Sequence, residues 1–348
     1  MIDFYFWSVW MTKTKNSRKD VRALWLGIAF SLGITLMIWA LNPLLDRIEL
    51  LPDTGFAWYY WKLTNPTFWT RFSAWGFYFL HQVSMWGLIW YSQKSKVKYT
   101  SGMHKFNYWA LGVNGLFILL RVVQTHIWYD GLAQDVPIVS SQGSVIVLLV
   151  WVLLMENKRR GIIAGKKLPI SKEINAFARK YHGYYFAWAT VYTFWYHPAV
   201  ATPAHLLGFF YMFLLLLQGS LFFTRIHVNK YWTFAQEFIV LVHGAIVAVY
   251  QGGDLWPMFA FGFGAIFILT QLYGLGLKSW QRYAFIAVYV LSALYVYNGR
   301  LIQGFLEIIR IPAIDYILVL VLAGLFWVII KIIGTSKRKY DSKASVEG

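Results

Sequence analysis

Residues 22–41 read RALWLGIAFSLGITLMIWAL, twenty residues whose only charge is the first. A helix crossing a bilayer needs about 20 mostly apolar residues, so this stretch sets the reading of the fold. Nine further stretches have the same character: Phe68–Tyr91, Lys105–Trp128, Ile138–Met155, Ala178–His197, Ala204–Thr224, Trp232–Tyr250, Pro257–Leu277, Trp280–Gly299 and Ile311–Gly334. The fourth of the ten is the weakest, because Ser140-Ser141-Gln142-Gly143-Ser144 dilutes its first half. The expected fold is an all-α integral membrane protein, a polytopic bundle of about ten transmembrane helices with both termini cytoplasmic. Residues 22–334 form that single domain. Residues 1–21 are expected to be a cytoplasmic or interfacial segment, and 335–348 a disordered cytoplasmic tail. Leu301–Arg310 reads as an interfacial helix before the last span, and the aromatic loop Leu44–Asn65 as a cover over the bundle mouth.

Composition agrees. Of 348 residues, 58% are hydrophobic and only 14% charged, against about 25% charged in a soluble domain. A soluble enzyme, a disordered chain and a disulfide scaffold are thereby excluded. With no cysteine there is no thiolate metal site, iron–sulfur cluster or cysteine nucleophile. The net charge of +17 has its meaning in its distribution. Cytoplasmic loops of membrane proteins are rich in Lys and Arg. With ten spans and tails inside, 26 of the 32 basic residues fall on the inner side and 6 on the outer. The charge is thus a topology signal, not a nucleic-acid footprint, and the basic inner face is expected to attract anionic lipids. Tails inside and no cysteine together suit the cytoplasmic (inner) membrane of a bacterium.

Eight histidines carry the candidate chemistry. His81 and His243 each lie ten or eleven residues from the inner end of a span, roughly 15–17 Å deep at 1.5 Å per residue. Titratable groups near the midplane face a bundle interior or a cavity. The two histidines either clamp one haem b iron from opposite faces or sit as separate core residues bonded to tyrosines or carbonyls. His126, His197 and His205 gather near the outer face, the last two across the tight turn His197-Pro-Ala-Val-Ala-Thr-Pro-Ala-His205. With Asp130 one turn beyond His126, they suit zinc or non-haem iron; with Trp128, Tyr129, Trp195 and Tyr196 around them, they equally suit an interface belt. Arg121 and Gln124 on the same helix end suit an anionic substrate. Toward the inner face, His104 and His227 read as solvated interface residues. His182, at a depth similar to Glu237, suits a pair that admits protons, a second-shell contact or an ion pair between helices. His182 and His197 are fifteen residues apart, roughly 22 Å along one helix, as in helices that carry two stacked haems.

Three histidine pairs share an offset of 101 residues, 81 with 182, 104 with 205 and 126 with 227. Their positions within the spans do not correspond, so the offset is not a repeat. Phosphate-binding loops, H-E-x-x-H, G-x-S-x-G, C-x-x-C-H and the clustered histidine boxes of membrane desaturases are absent. Three functions remain. The first is a membrane oxidoreductase or electron carrier with His-bound haem, iron or zinc. The second is a proton-coupled transporter working through His81, His243, His182 and Glu237, with Arg121 for an anion. The third is a metal-dependent enzyme acting on a lipid or isoprenoid. A small lipophilic or anionic substrate suits them all.

Overall fold

A computed structural model describes residues 18–52, 62–250, 252 and 255–344, with side chains as far as 334. Each of the ten expected spans becomes a helix. In chain order these are α1 (Lys19–Leu41), α2 (Phe68–Lys94), α3 (Lys105–Ile127), α4 (Ile138–Arg160), α5 (Lys172–Phe194), α6 (Pro203–Ser220), α7 (Lys230–Tyr250), α8 (Trp256–Leu269), α9 (Ser279–Val296) and α10 (Leu301–Ala344). Seven helices among the described residues are long and apolar enough to cross a membrane; α2, α5 and α9 fall short of that standard. Expected as the weakest span, α4 is among the seven. Its serines turn inward: Ser141 and Ser144 are buried, and Ser144 Oγ donates to the Ser141 carbonyl at 2.8 Å. The chain is an all-helical protein whose outer faces carry large apolar side chains such as Leu26, Trp109, Val288 and Ile302, the surface a helical membrane protein presents.

Local chemistry explains the boundaries. Thr67 Oγ1 accepts the Thr70 N–H and Thr70 Oγ1 accepts the Thr67 N–H, a reciprocal cap that starts α2. Pro203 occupies the first turn of α6, behind the Thr202 cap. Two boundaries differ from expectation. Leu301–Arg310 is not a separate interfacial helix, because α10 runs unbroken through Pro312 to Ala344, into the segment expected to be disordered. Residues 345–348 and most of the N-terminal segment lie outside the described residues, as do residues 53–61 of the Leu44–Asn65 loop. And α5 begins at Lys172, well before Ala178, because Ser171 accepts the Ile174 N–H and caps an earlier start.

Helix α6 packs on α1, α3, α5 and α7, while α5 packs on α2, α4, α6 and α10. Two cores result. One joins α1, α2, α3, α5 and α6 around Phe117, Trp195 and Phe213; the other joins α4, α5, α8 and α10 around Trp151, Leu154 and Phe326. The face of α5 carries a ladder of rings, Tyr185, Trp188, Tyr192 and Tyr196, with successive centroids 5.4, 5.4 and 5.9 Å apart.

Candidate functional site

The α4–α5 loop closes one end of the second core. Helix α4 ends in Lys158, Arg159 and Arg160, where cations complement the negative end of the helix dipole. Gly161 turns the chain at φ 74°, and a Cβ there would collide with the Gly165 backbone, so only glycine serves. Asn157 clamps the loop by donating to the Leu168 carbonyl (2.9 Å) and accepting the Leu168 N–H (2.8 Å). The Ala164 N–H donates to Leu269 O at 2.8 Å, and the Tyr316 hydroxyl donates to Ile162 O at 3.0 Å. The loop is thereby tied to α8 and α10.

These anchors aim Arg160 into the bundle. Its Nη1 donates to Glu237 Oε2 on α7 at 2.6 Å, and the two side chains are only 3% and 11% exposed. Arg160 Nε and Nη2 have no hydrogen-bond partner among the described residues. Both side chains line a cavity of about 30 Å³ together with Asp315 of α10 and Gln271, room for a water or two. Its remaining walls are apolar, among them Leu153, Val240, Phe263 and Ile266. Helix α8 stops at Leu269 and the chain continues as a 3₁₀ turn, Gln271–Gly274, which brings Gln271 to the cavity. Irregular backbone among apolar helices is tolerated where it lines a cavity. Pro312, one turn before Asp315, leaves the Ile308 carbonyl without its helical N–H. Taking both members of an ion pair out of water costs several kcal/mol per ion. An ion pair beside a further buried carboxylate is therefore poorly explained by stability.

The opposite end of the first core holds a second buried guanidinium, Arg121, near the end of α3. Its Nη1 donates to Gln124 Oε1 and, at 2.9 Å, to Asp130 O; its Nη2 donates to His197 O. The guanidinium also lies 4.9 Å from the centre of the Trp195 ring. Gln124 Nε2 donates to Ser73 Oγ (3.2 Å) and Asp130 O (3.1 Å). The loops 128–137 and 195–202 meet so closely that a Cβ on Gly131 would stand 2.6 Å from the Tyr196 carbonyl oxygen. Burial pushes the Asp130 carboxyl up to about 6, against the Gly131 N–H and the nearby Arg121 charge, which both act to lower it.

Beside this network, His197 and His205 have ring centroids 4.4 Å apart at an interplanar angle of 71°. Thr202 Oγ1 lies 2.6 Å from His205 Nδ1, and His197 Nδ1 lies 2.9 Å from the Pro198 carbonyl oxygen. His243 approaches from α7, with Nε2 2.9 Å from where a Cβ on Gly208 of α6 would lie. Burial pushes His197 down to about 3, so it is neutral at pH 7. Among the described residues no group of three or more His, Cys, Asp or Glu is arranged to hold a metal ion.

The expected groupings are therefore redrawn. His81 and His243 do not face each other. His81 is fully buried; its Nε2 is 2.7 Å from Asn114 Oδ1, its Nδ1 is 3.2 Å from the Trp195 Nε1–H, and its ring stacks on Phe117. Asn114 gives its own N–H groups to Leu216 O and Ser220 Oγ. Its oxygen thus accepts from His81, and both imidazole nitrogens are engaged, leaving no lone pair for iron. His126 stands apart from His197 and His205, with Nδ1 2.8 Å from Val122 O and Nε2 3.3 Å from Leu41 O. His182 does not pair with Glu237; its Nδ1 meets Arg179 O at 2.7 Å, and Glu237 belongs to Arg160. His104 Nε2 contacts Lys98 O, and His227 Nδ1 contacts Gln218 O. Sequence reasoning missed Arg160, Gln271 and Asp315. Asp315 had a signal: it is a carboxylate inside the apolar run IPAIDYILVLVLAGLFW, and such groups are rare and functional.

The chain matches no protein-family model, no curated protein and no solved structure.

Proposed function

We propose that this chain is a proton-conducting membrane transporter whose working site is the cavity bounded by Arg160, Glu237, Gln271 and Asp315. One observation carries the reading. Titratable groups from α4, α7 and α10 converge on a single small cavity inside apolar helices, with an unwound helix end beside them. A buried carboxylate keeps its charge only while a cation answers it. Protonation of Glu237 releases Arg160 from its ion pair, and the freed guanidinium then turns to Asp315 or to an anionic group of a small solute. Loss of the proton restores the pair. Two alternative pairings of one arginine give the bistable element that coupled transport needs. Broken helices beside binding sites are a recurring device of transporters.

The test uses the full-length protein in sealed vesicles of phosphatidylglycerol and phosphatidylcholine containing a pH-sensitive dye. Under an imposed potassium diffusion potential the wild type is expected to move protons well above the rate of empty vesicles. Glu237→Gln, which keeps the size but not the titration, is expected to fall to the empty-vesicle rate. Equal rates for wild type and Glu237→Gln would refute the assignment.

A second reading is favoured by the neighbouring imidazoles of His197 and His205, whose ring centroids are 4.4 Å apart. There the turn would bind iron or zinc, or flank a haem, and the chain would pass electrons or act on a lipophilic substrate. An absorption spectrum before and after dithionite, with metal analysis of the purified protein, separates the two. Stoichiometric haem or metal lost in His205→Ala supports this reading, and a colourless, metal-free protein that conducts protons removes it.

A further inference from the structure

Away from both sites, α1, α3 and α6 enclose a groove of about 490 Å³, within the range of sites that hold a sizeable ligand. Its walls are apolar, with Leu26, Phe30, Leu111, Ile118, Phe213 and Leu217 among them. Leu26 is 64% exposed and Phe30 39%, so the groove opens sideways on the face that meets lipid. The polar groups in its floor are already satisfied. Ser31 Oγ donates to Gly27 O at 2.8 Å, and Asn114 Nδ2 donates to Ser220 Oγ at 2.7 Å. They offer nothing to a polar solute, and a hydrocarbon chain can lie over them without leaving a buried group unpaired.

Charge is confined to one end. Lys19 and Arg22, on the first turn of α1, line the mouth, and among the described residues no carboxylate lines the groove. The nearby Asp20 is turned away from it. Asp20 is fully buried, its Oδ1 accepts the Val21 N–H at 2.9 Å, and the same oxygen lies 3.8 Å from Arg18. An apolar trough with two cations at one end matches one chemistry, a hydrocarbon chain that ends in an anionic head group. The mouth lies on the side that the Lys and Arg bias assigns to the cytoplasm.

We propose that this groove is a binding site for a single anionic phospholipid, its acyl chain between α1, α3 and α6 and its phosphate at Lys19 and Arg22. Gly115 supplies a clean steric test. A Cβ there meets nothing within 4 Å, so a larger side chain grows into the groove without displacing a helix. Gly27 is the opposite case, since a Cβ there would strike Leu217, where α1 and α6 touch.

The experiment is native mass spectrometry of the full-length protein taken from vesicles of equal phosphatidylglycerol and phosphatidylcholine. The wild type is expected to retain one phosphatidylglycerol in at least tenfold preference to phosphatidylcholine, at about fivefold for each surface cation. Lys19→Gln with Arg22→Gln is expected to abolish the preference while a lipid is still retained. Gly115→Phe is expected to lose both lipids while eluting from size exclusion as the wild type does. The proposal is overturned by equal retention of the two lipids by the wild type, or by full retention by Gly115→Phe. Absence of bound lipid from the wild type, as when the N-terminal residues or a second copy fill the groove, overturns it too. Proton flux measured on the same Gly115→Phe preparation keeps this test separate from that of the transport site.

Discussion

Arg121 and Arg160 are both buried guanidinium groups in an apolar bundle, the first near the end of α3 and the second at the end of α4. Arg121 is answered by neutral acceptors, two backbone carbonyls and a glutamine, with a tryptophan ring beneath. None of these hydrogen-bonding partners gains or loses a proton near neutral pH; the Asp130 carboxyl, raised to about 6, acts on Arg121 only through space. It ties the loop before α4 to the loop before α6. Arg160 is answered by a carboxylate, has two nitrogens unpartnered among the described residues, and shares a cavity with a second carboxylate. Each of its partners can be neutralised by one proton, so this network has more than one state. Burial alone does not mark a charge as functional; whether its partners can change does.

If Arg121 is purely structural, removing it should cost the most. Arg121→Met takes the donor from His197 O and Gln124 Oε1 and one of two donors from Asp130 O, and is expected to destabilise the protein by about 3–5 kcal/mol. Thermal unfolding of the full-length protein in detergent, followed by tryptophan fluorescence, reads this. A loss under about 1 kcal/mol would erase the contrast between the arginines. Glu237→Leu, which removes the carboxylate that Arg160 holds and leaves Asp315 alone to answer it, is expected to cost about 3 kcal/mol in the same assay. Adding Arg160→Met should recover most of that stability without recovering flux. Such a rescue of fold but not activity would sharpen the contrast, since an ion pair kept for stability would not behave so.

Gly131→Ala places a methyl against the Tyr196 carbonyl oxygen and is expected to cost about 1–3 kcal/mol. Proton flux should survive, because the strain is confined to the Arg121 end. The remaining effect is one of pH. Asp130 titrates near 6 in the folded protein against an ordinary 3.8. Folding therefore favours its protonated form, and its contribution to stability is full below 3.8 and lost as pH rises through 6. Asp130→Asn is expected to raise the unfolding temperature above pH 6 and to leave it unchanged at low pH. A uniform shift at every pH would mean that the Asp130 charge plays no part.

Most of the fold was legible because lipid-facing helices declare themselves by length and apolarity. All ten segments found their helices, and the residue-level surprises came at helix ends, where capping by Ser171 and the continuity of α10 through Pro312 outweighed composition. The site was far less legible. Histidine is conspicuous in an apolar sequence, and reasoning from depth alone placed His81 opposite His243. The Asn114 and Trp195 hydrogen bonds show that His81 spends its ring nitrogens on packing, and no single-sequence pattern announces a hydrogen bond between residues 81, 114 and 195. The His197–His205 proximity was readable, since a proline-flanked turn enforces it. Arg160 was hidden among basic residues counted as topology signals. Which of Lys158, Arg159 and Arg160 turns inward depends on the Gly161 turn and the Asn157 clamp, and these are tertiary facts.

The claim that the Arg160 cavity is the working site is tested most directly by proton flux through Asp315→Asn in sealed vesicles under an imposed potential. The substitution keeps the shape of the side chain, removes only its titration, and is expected to leave thermal stability within about 1 kcal/mol of wild type. The account predicts that flux falls at least tenfold in a protein that unfolds at the wild-type temperature. Wild-type flux in Asp315→Asn would contradict it, and would return the search for function to the histidines at the other end of the bundle.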